Sequence, residues 1–272
     1  MKNAVGGALL ALLFLAPLSA SFDSARQACL AQDKPEVAAR PVANIGGLEE
    51  SGASITGIVK FTGKQPERKP LASITGNAYC SEHCNGQAPL DEKWVFGKNG
   101  SDDTFANVLV YVSKGLEGKK FAPPKTPTIL DQVGCVYTPR VVGVMVGQTL
   151  QVRNSDSTLH NVMANLRTNK SFNEGMSVKG STIEKVFQNP EFKADFRCFM
   201  HPWMVAYVHV MEHPYYAITG PDGSFTLRGL PPGEYEIATL HESSRFEASA
   251  RVTVKVGAGE TQKIAFTYKD AQ

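Results

Sequence analysis

Val141-Val142-Gly143-Val144-Met145-Val146, followed after Gly147-Gln148 by Thr149-Leu150-Gln151-Val152-Arg153, is where the fold class first becomes legible. Valine and threonine are stiff at χ1 and pack well on a pleated surface, while a helix costs them rotamer freedom. Both runs are short, rich in β-formers and bounded by glycine or polar residues, so they read as strands.

The same character recurs on either side. Ile55-Thr56-Gly57-Ile58-Val59-Lys60-Phe61, bounded by Gly63, and Val108-Leu109-Val110-Tyr111-Val112 lie upstream, and Ala206-Tyr207-Val208-His209-Val210 lies downstream. The C-terminal part reads as a meander: Tyr216-Ala217-Ile218-Thr219, Ser224-Phe225-Thr226-Leu227 and Tyr235-Glu236-Ile237-Ala238 are separated by Pro221-Asp222-Gly223 and Pro231-Pro232-Gly233. Asp-Gly and Pro-Pro-Gly supply the backbone angles of tight turns. Val252, Val254 and Val256 alternate with polar residues and should share one buried face. Helical periodicity is almost absent beyond the N-terminus. The expectation is an all-β protein built of sandwiches.

The N-terminus is Met1-Lys2-Asn3, a mostly apolar run from Ala4 to Leu18, and then Ser19-Ala20-Ser21. This is the pattern of a secretory signal, cleaved near Ala20. Residues 1–21 are therefore read as a signal peptide and 22–52, mixed and aperiodic, as a tether. The mature protein is expected in the periplasm or secreted. Arg26 and Gln27 stand where lipidation of Cys29 would want small or apolar residues. No later stretch approaches the ~18 apolar residues of a membrane helix, so no stable span is expected after signal cleavage.

With 272 residues, two modest domains can each bury a core. A net charge of +2 offers no basic surplus for nucleic acid and no acidic surplus for disorder.

The chemistry concentrates in Cys198-Phe199-Met200-His201-Pro202-Trp203-Met204, read with Asp156-Ser157-Thr158-Leu159-His160-Asn161-Val162. Together they hold two imidazoles, one thiol and one thioether, in His160, His201, Cys198 and Met204. A blue-copper centre uses this set: a soft thiolate and two imidazoles in a trigonal plane, with a weak axial methionine. Three candidate ligands on one short loop can converge, and His160 must arrive from a distant strand end. Alone, each is more often structural, a buried cysteine as an inert hydrophobe and a methionine as core filler.

At these residues the chain resembles the cupredoxins, closest to the amicyanin-type loop Cys-x-x-His-Pro-aromatic-Met, present here as Cys198, His201, Pro202, Trp203 and Met204. Gly147-Gln148-Thr149-Leu150-Gln151-Val152 with Asn154, leading into His160-Asn161-Val162, looks like the cupredoxin approach to the first histidine. The resemblance implies one type-1 copper held by His160, Cys198, His201 and Met204. It also implies that His201 presents its edge to solvent through an apolar patch drawn from Met200, Pro202 and Trp203. Phe199 and Met200 replace the smaller residues of that loop type, close to the sulfur where packing tunes the potential.

A second resemblance runs from Asp222-Gly223-Ser224-Phe225 through Leu230-Pro231-Pro232-Gly233-Glu234-Tyr235, which is similar to the carboxypeptidase regulatory-like, transthyretin-like β-sandwich family. That family opens with a strand like Thr56-Gly57-Ile58-Val59-Lys60-Phe61, here far upstream. The implied arrangement is a cupredoxin-like Greek-key sandwich over 121–213, inserted in or fused to a transthyretin-like sandwich made of 53–120 and 214–270.

Cys135 is expected to pair with Cys80 or Cys84, leaving one thiol over. The run Cys80-Ser81-Glu82-His83-Cys84 lacks a further pair to complete a zinc site. His209 and His213, four apart on a strand, would need a third ligand such as His241 to bind a metal. A single cysteine in the ligand loop argues against a dinuclear copper-A centre. Arg197 and Phe199, where multicopper oxidases place histidines, argue against oxidase chemistry, and c-type haem lacks its Cys-x-x-Cys-His.

The function expected is single-electron transfer between a redox donor and an acceptor, without substrate turnover. Two alternatives stay open: a binding module for carbohydrate or protein centred on the regulatory-like sandwich, and copper storage or delivery.

Overall fold

The computed structural model describes residues 52–249 and 251–270; the signal reading (1–21), Cys29 and all of the tether but its last residue lie outside them. The described chain is nearly all β, as the strand patterns require, and forms two sandwiches with separate cores.

The chain first lays down β1 (Ala53–Thr62), β2 (Phe96–Asn99), β3 (Asp102–Phe105) and β4 (Leu109–Lys114). It continues with β5 (Thr128–Val133), β6 (Val136–Thr138), β7 (Val141–Met145), β8 (Thr149–Asn154), β9 (His160–Asn165) and β10 (Phe172–Met176). Next come β11 (Thr182–Val186), β12 (Glu191–Arg197) and β13 (Val205–Met211). It ends in β14 (Tyr216–Ile218), β15 (Ser224–Leu230), β16 (Gly233–Leu240), β17 (Phe246–Ala248), β18 (Val252–Val256) and β19 (Thr261–Asp270).

The first and last groups of strands form one sandwich. One sheet runs β17-β19-β1-β3-β2 with β15 also on β1, and the facing sheet runs β14-β4-β16-β18. The upstream strand β1 sits between late strands, parallel to β19 and antiparallel to β15, with Thr56 opposite Thr226. Ile55, Val59, Phe105, Val110, Leu227, Tyr235 and Phe266 meet in its core. Gly57 is needed on β1 because a Cβ there would stand 2.1 Å from the Ile264 carbonyl.

The middle strands form the second sandwich, with sheets β11-β8-β5-β6 and β10-β9-β12-β13-β7. β7 and β8 belong to opposite sheets, and the chain crosses between them at Gly147, whose φ of 80° suits glycine. Alternation along β8 buries Leu150, Val152 and Asn154, while Phe196, Val208 and Val162 enter the core from the other sheet.

The sandwiches meet through a small apolar cluster of Leu109, Met145, Met211 and Tyr216. Gly143 on β7 lies under the Tyr216 ring, where a Cβ would come within 2.2 Å of it. Just before β7, Arg140 makes two 2.8 Å bonds to Glu242, which follows β16 of the other sandwich, and approaches Asp91 at 3.2 Å. The Glu242 side chain is 2% exposed, so the pair is a buried clamp.

One segment departs from the all-strand pattern. A 3-10 turn (Ala72–Gly76) leads into α1 (Ala78–His83), whose first turn is capped by the Asn77 side chain accepting from the Cys80 N–H at 3.1 Å. A helix this short leaves no periodicity to find, and only the cap residue signals it.

Candidate metal centre

β9 and β12 are antiparallel neighbours, with Arg197 opposite Met163 and Phe196 opposite Ala164. Cys198 follows at the end of β12 beside the start of β9, so the register itself brings Cys198 and His160 to one sheet edge. The loop from Cys198 to Met204 then turns back into β13. Its ends are tied by the Met204 N–H to the His201 carbonyl at 2.8 Å and the Cys198 N–H to the Met204 carbonyl at 3.3 Å.

Asn161 fastens this loop to β9. Its side-chain oxygen accepts from the Phe199 and Met200 N–H groups, and its own N–H points at the Cys198 sulfur at 3.5 Å. In the sequence, only its place next to His160 marks Asn161.

Three candidate ligand atoms meet in the interior. His160 Nδ1 and His201 Nδ1 are 2.9 Å apart, and Cys198 Sγ lies 3.9 Å from the first and 3.7 Å from the second. Three atoms at these separations share a point about 2 Å from each, close to first-row metal–nitrogen bond lengths. His160, Cys198 and His201 are at most 2% exposed, and Met204 is buried in the same core cluster as Cys198. The backbone bonds place Met204 at the mouth of the same loop.

The electrostatics suit a thiolate. Burial pushes the Cys198 thiol up, but hydrogen bonds with His160, His201 and the Asn161 N–H outweigh it and bring the thiol down to about 6. Burial disfavours a charged His160, yet its bond to Asp156 and its contact with Cys198 raise the imidazole above its ordinary value. Asp156 resists burial in the same way and is held below the carboxylate range by His160 and by the Cys135 and Gly134 N–H groups.

The edge of His201 is not open. It is 2% exposed, and Asn77 Nδ2 stands 3.2 Å from its Nε2. The expected solvent-facing imidazole is corrected here: the segment from Ala72 to Cys84 lies over it. A Cys80–Cys135 disulfide joins that segment to the β5–β6 turn, and Tyr79 Oη accepts from the Ser157 N–H at 2.9 Å. Ile74, Cys80, Cys84 and Cys135 form a small core of their own with Trp203 packed against it. Trp203 is half-buried and donates to the Cys135 carbonyl at 2.9 Å, so it braces the cap rather than forming a surface patch. Of the other expected patch residues, Met200 and Pro202 are exposed, as are Phe199 and Leu159 near the centre.

Of the two partners open to Cys135, the fold selects Cys80. Cys84 is disulfide-bonded as well rather than left over, and Cys198 is the free cysteine among the described residues. His209, His213 and His241 are not gathered into any group of metal-ligating atoms among the described residues. His209 instead accepts from the Lys193 N–H at 3.3 Å, inside a bulge of β12.

No protein-family model matches the chain, and no curated protein matches it. Among solved structures, a copper-containing nitrite reductase from Thermus scotoductus SA-01 is 22% identical over 35% of this chain and 24% of its own, with a TM-score of 0.31. The chain thus spans about a quarter of that reductase. A reduced amicyanin variant is 23% identical over 31% of this chain and 81% of its own, with a TM-score of 0.29. A purple cupredoxin from Nitrosopumilus maritimus is 25% identical over 37% of this chain and 96% of its own, with a TM-score of 0.25. Likenesses of this size assign neither a family nor an activity.

No helix among the described residues is long and apolar enough to cross a membrane.

Proposed function

We propose that this chain is an exported type-1 copper protein that passes single electrons between redox partners and turns over no substrate. The observation that carries the proposal is the buried triangle of His160 Nδ1, His201 Nδ1 and Cys198 Sγ, already spaced to share one ion. A soft sulfur and two imidazoles are donors that suit copper, and His160, Cys198 and His201 would hold it, with Met204 on the same loop as a further, weaker sulfur donor. Copper, when bound, supplies the one-electron couple.

The protein's part is to keep the donors in place in both oxidation states. Asn161 holds the Cys198 loop to β9, the sheet register holds His160, and the cap excludes water from His201. Little reorganisation is then required as charge arrives or leaves, which is what outer-sphere transfer needs. The sandwich carrying these residues is read as a cupredoxin-like domain inserted in a transthyretin-like one, which the Arg140 clamp holds against it. The apolar residues at the signal-like N-terminus and the Cys80–Cys135 disulfide both favour export to an oxidising compartment.

Copper(II) added to the metal-free protein should give one equivalent of tightly held copper with intense visible absorption, reversibly bleached by a one-electron reductant. Cys198→Ser should remove the colour. A parent protein that stays colourless on loading would refute the reading.

A further inference from the structure

Asp156 lies outside the proposed ligand set, yet among the described residues it is the acidic one grouped with the candidate ligands. It is 1% exposed. Its Oδ2 is 2.9 Å from His160 Nε2, the ring nitrogen opposite the one that faces Cys198 and His201. The same oxygen accepts from the Cys135 N–H at 2.9 Å, and Oδ1 accepts from the Gly134 N–H at 2.8 Å.

Those two amides belong to the two-residue turn between β5 and β6. Gly134 and Cys135 have φ of 64° and 57°, the positive pair of a type I′ hairpin. Glycine takes such an angle freely and cysteine does not. Cys135 is kept there by the carboxylate on its amide and by the disulfide on its side chain. Each carboxyl oxygen of Asp156 accepts from one backbone N–H, which suits the ionised, acceptor-only form.

We propose that Asp156 is a positioning residue of the centre, fixing the His160 ring with Nε2–H outward and the Nδ1 lone pair inward, and favouring the more oxidised metal through its buried negative charge. This rests on the copper reading above. A carboxylate behind a ligating imidazole orients the ring and raises its basicity. Being buried, its charge is poorly screened and acts more strongly on the site than a surface charge would. The bland alternative is that Asp156 only braces the β5–β6 turn.

Two measurements separate them. In the metal-free parent, nitrogen-15 NMR should show His160 protonated at Nε2 with a slowly exchanging proton; a ring unprotonated at Nε2 overturns the positioning role without any variant being made. In the copper-loaded protein, Asp156→Asn keeps the shape and removes the charge. It should raise the preference for the reduced over the oxidised ion by at least about tenfold, an upward shift of ~59 mV in a one-electron couple. A potential that moves by less than about twofold in that preference overturns the electrostatic role, even if the variant is less stable. A parent that takes up no copper overturns the copper reading itself, and the NMR result still decides whether Asp156 orients His160.

Discussion

Asn77 Nδ2 stands 3.2 Å from His201 Nε2, while the opposite nitrogen of that ring faces Cys198. One short segment, remote in sequence from the Cys198 loop, thereby closes the side of the imidazole from which a partner or a chelator would approach. The Cys80–Cys135 bond is the covalent part of that closure. Cys80→Ser together with Cys135→Ser should lower unfolding free energy by roughly 2–5 kcal/mol, measured by chemical denaturation. Copper loss to a chelator should become several-fold faster. An unchanged rate would mean that the cap does not gate the site.

Met204 can be tested as ligand against core filler. Met204→Leu nearly conserves volume, so metal-free stability should change by less than about 1.5 kcal/mol. The visible spectrum and the potential of the copper-loaded protein should both shift, because an axial sulfur would be lost. If stability and spectrum both stay put, Met204 is packing only.

The Arg140 clamp should matter more than a surface ion pair. Arg140→Ala leaves Glu242, buried to 2%, without its cation, and such losses cost about 3–5 kcal/mol. Denaturation of the variant, and of Arg140→Ala combined with Glu242→Gln, should show the double variant recovering part of the loss. Equal stability of Arg140→Ala and the parent would remove the clamp from the account.

His209 predicts a pH profile. Burial, with Lys193 and His241 nearby, brings its imidazole down to about 3, while an unfolded histidine titrates near 6.5. Between those values the unfolded chain binds a proton that the folded protein refuses. Stability should therefore be complete above about pH 6.5 and fall as pH drops toward 3, by roughly a few kcal/mol. His241, likewise brought down to about 3 by burial, adds to the same slope. His209→Gln, which can still accept from the Lys193 N–H, should flatten the profile in this window. A slope unchanged in that variant would assign the acid sensitivity to other groups.

Strand patterns are local, because β-branched runs and Asp-Gly or Pro-Pro-Gly turns act through neighbouring residues, and so β7, β8, β15 and β16 were legible from residue types alone. The same holds for Cys198, His201 and Met204, which share one loop and so can be read together. His160 was legible as a candidate, but only the β9–β12 register brings it beside Cys198. The choice of Cys80 for Cys135, the Asn77 contact that buries His201 and the hold of the β5–β6 turn on Asp156 all join segments far apart in the chain. Composition and spacing carry no record of such contacts: they are set by which surfaces pack when two sheets close, and each partner's residue type is ordinary until that packing puts it within bonding distance. Residue order determined the strands and the candidate donors; tertiary packing alone decided that the His201 edge is covered and that the Asp156 carboxylate, buried behind His160, is gripped by the β5–β6 turn.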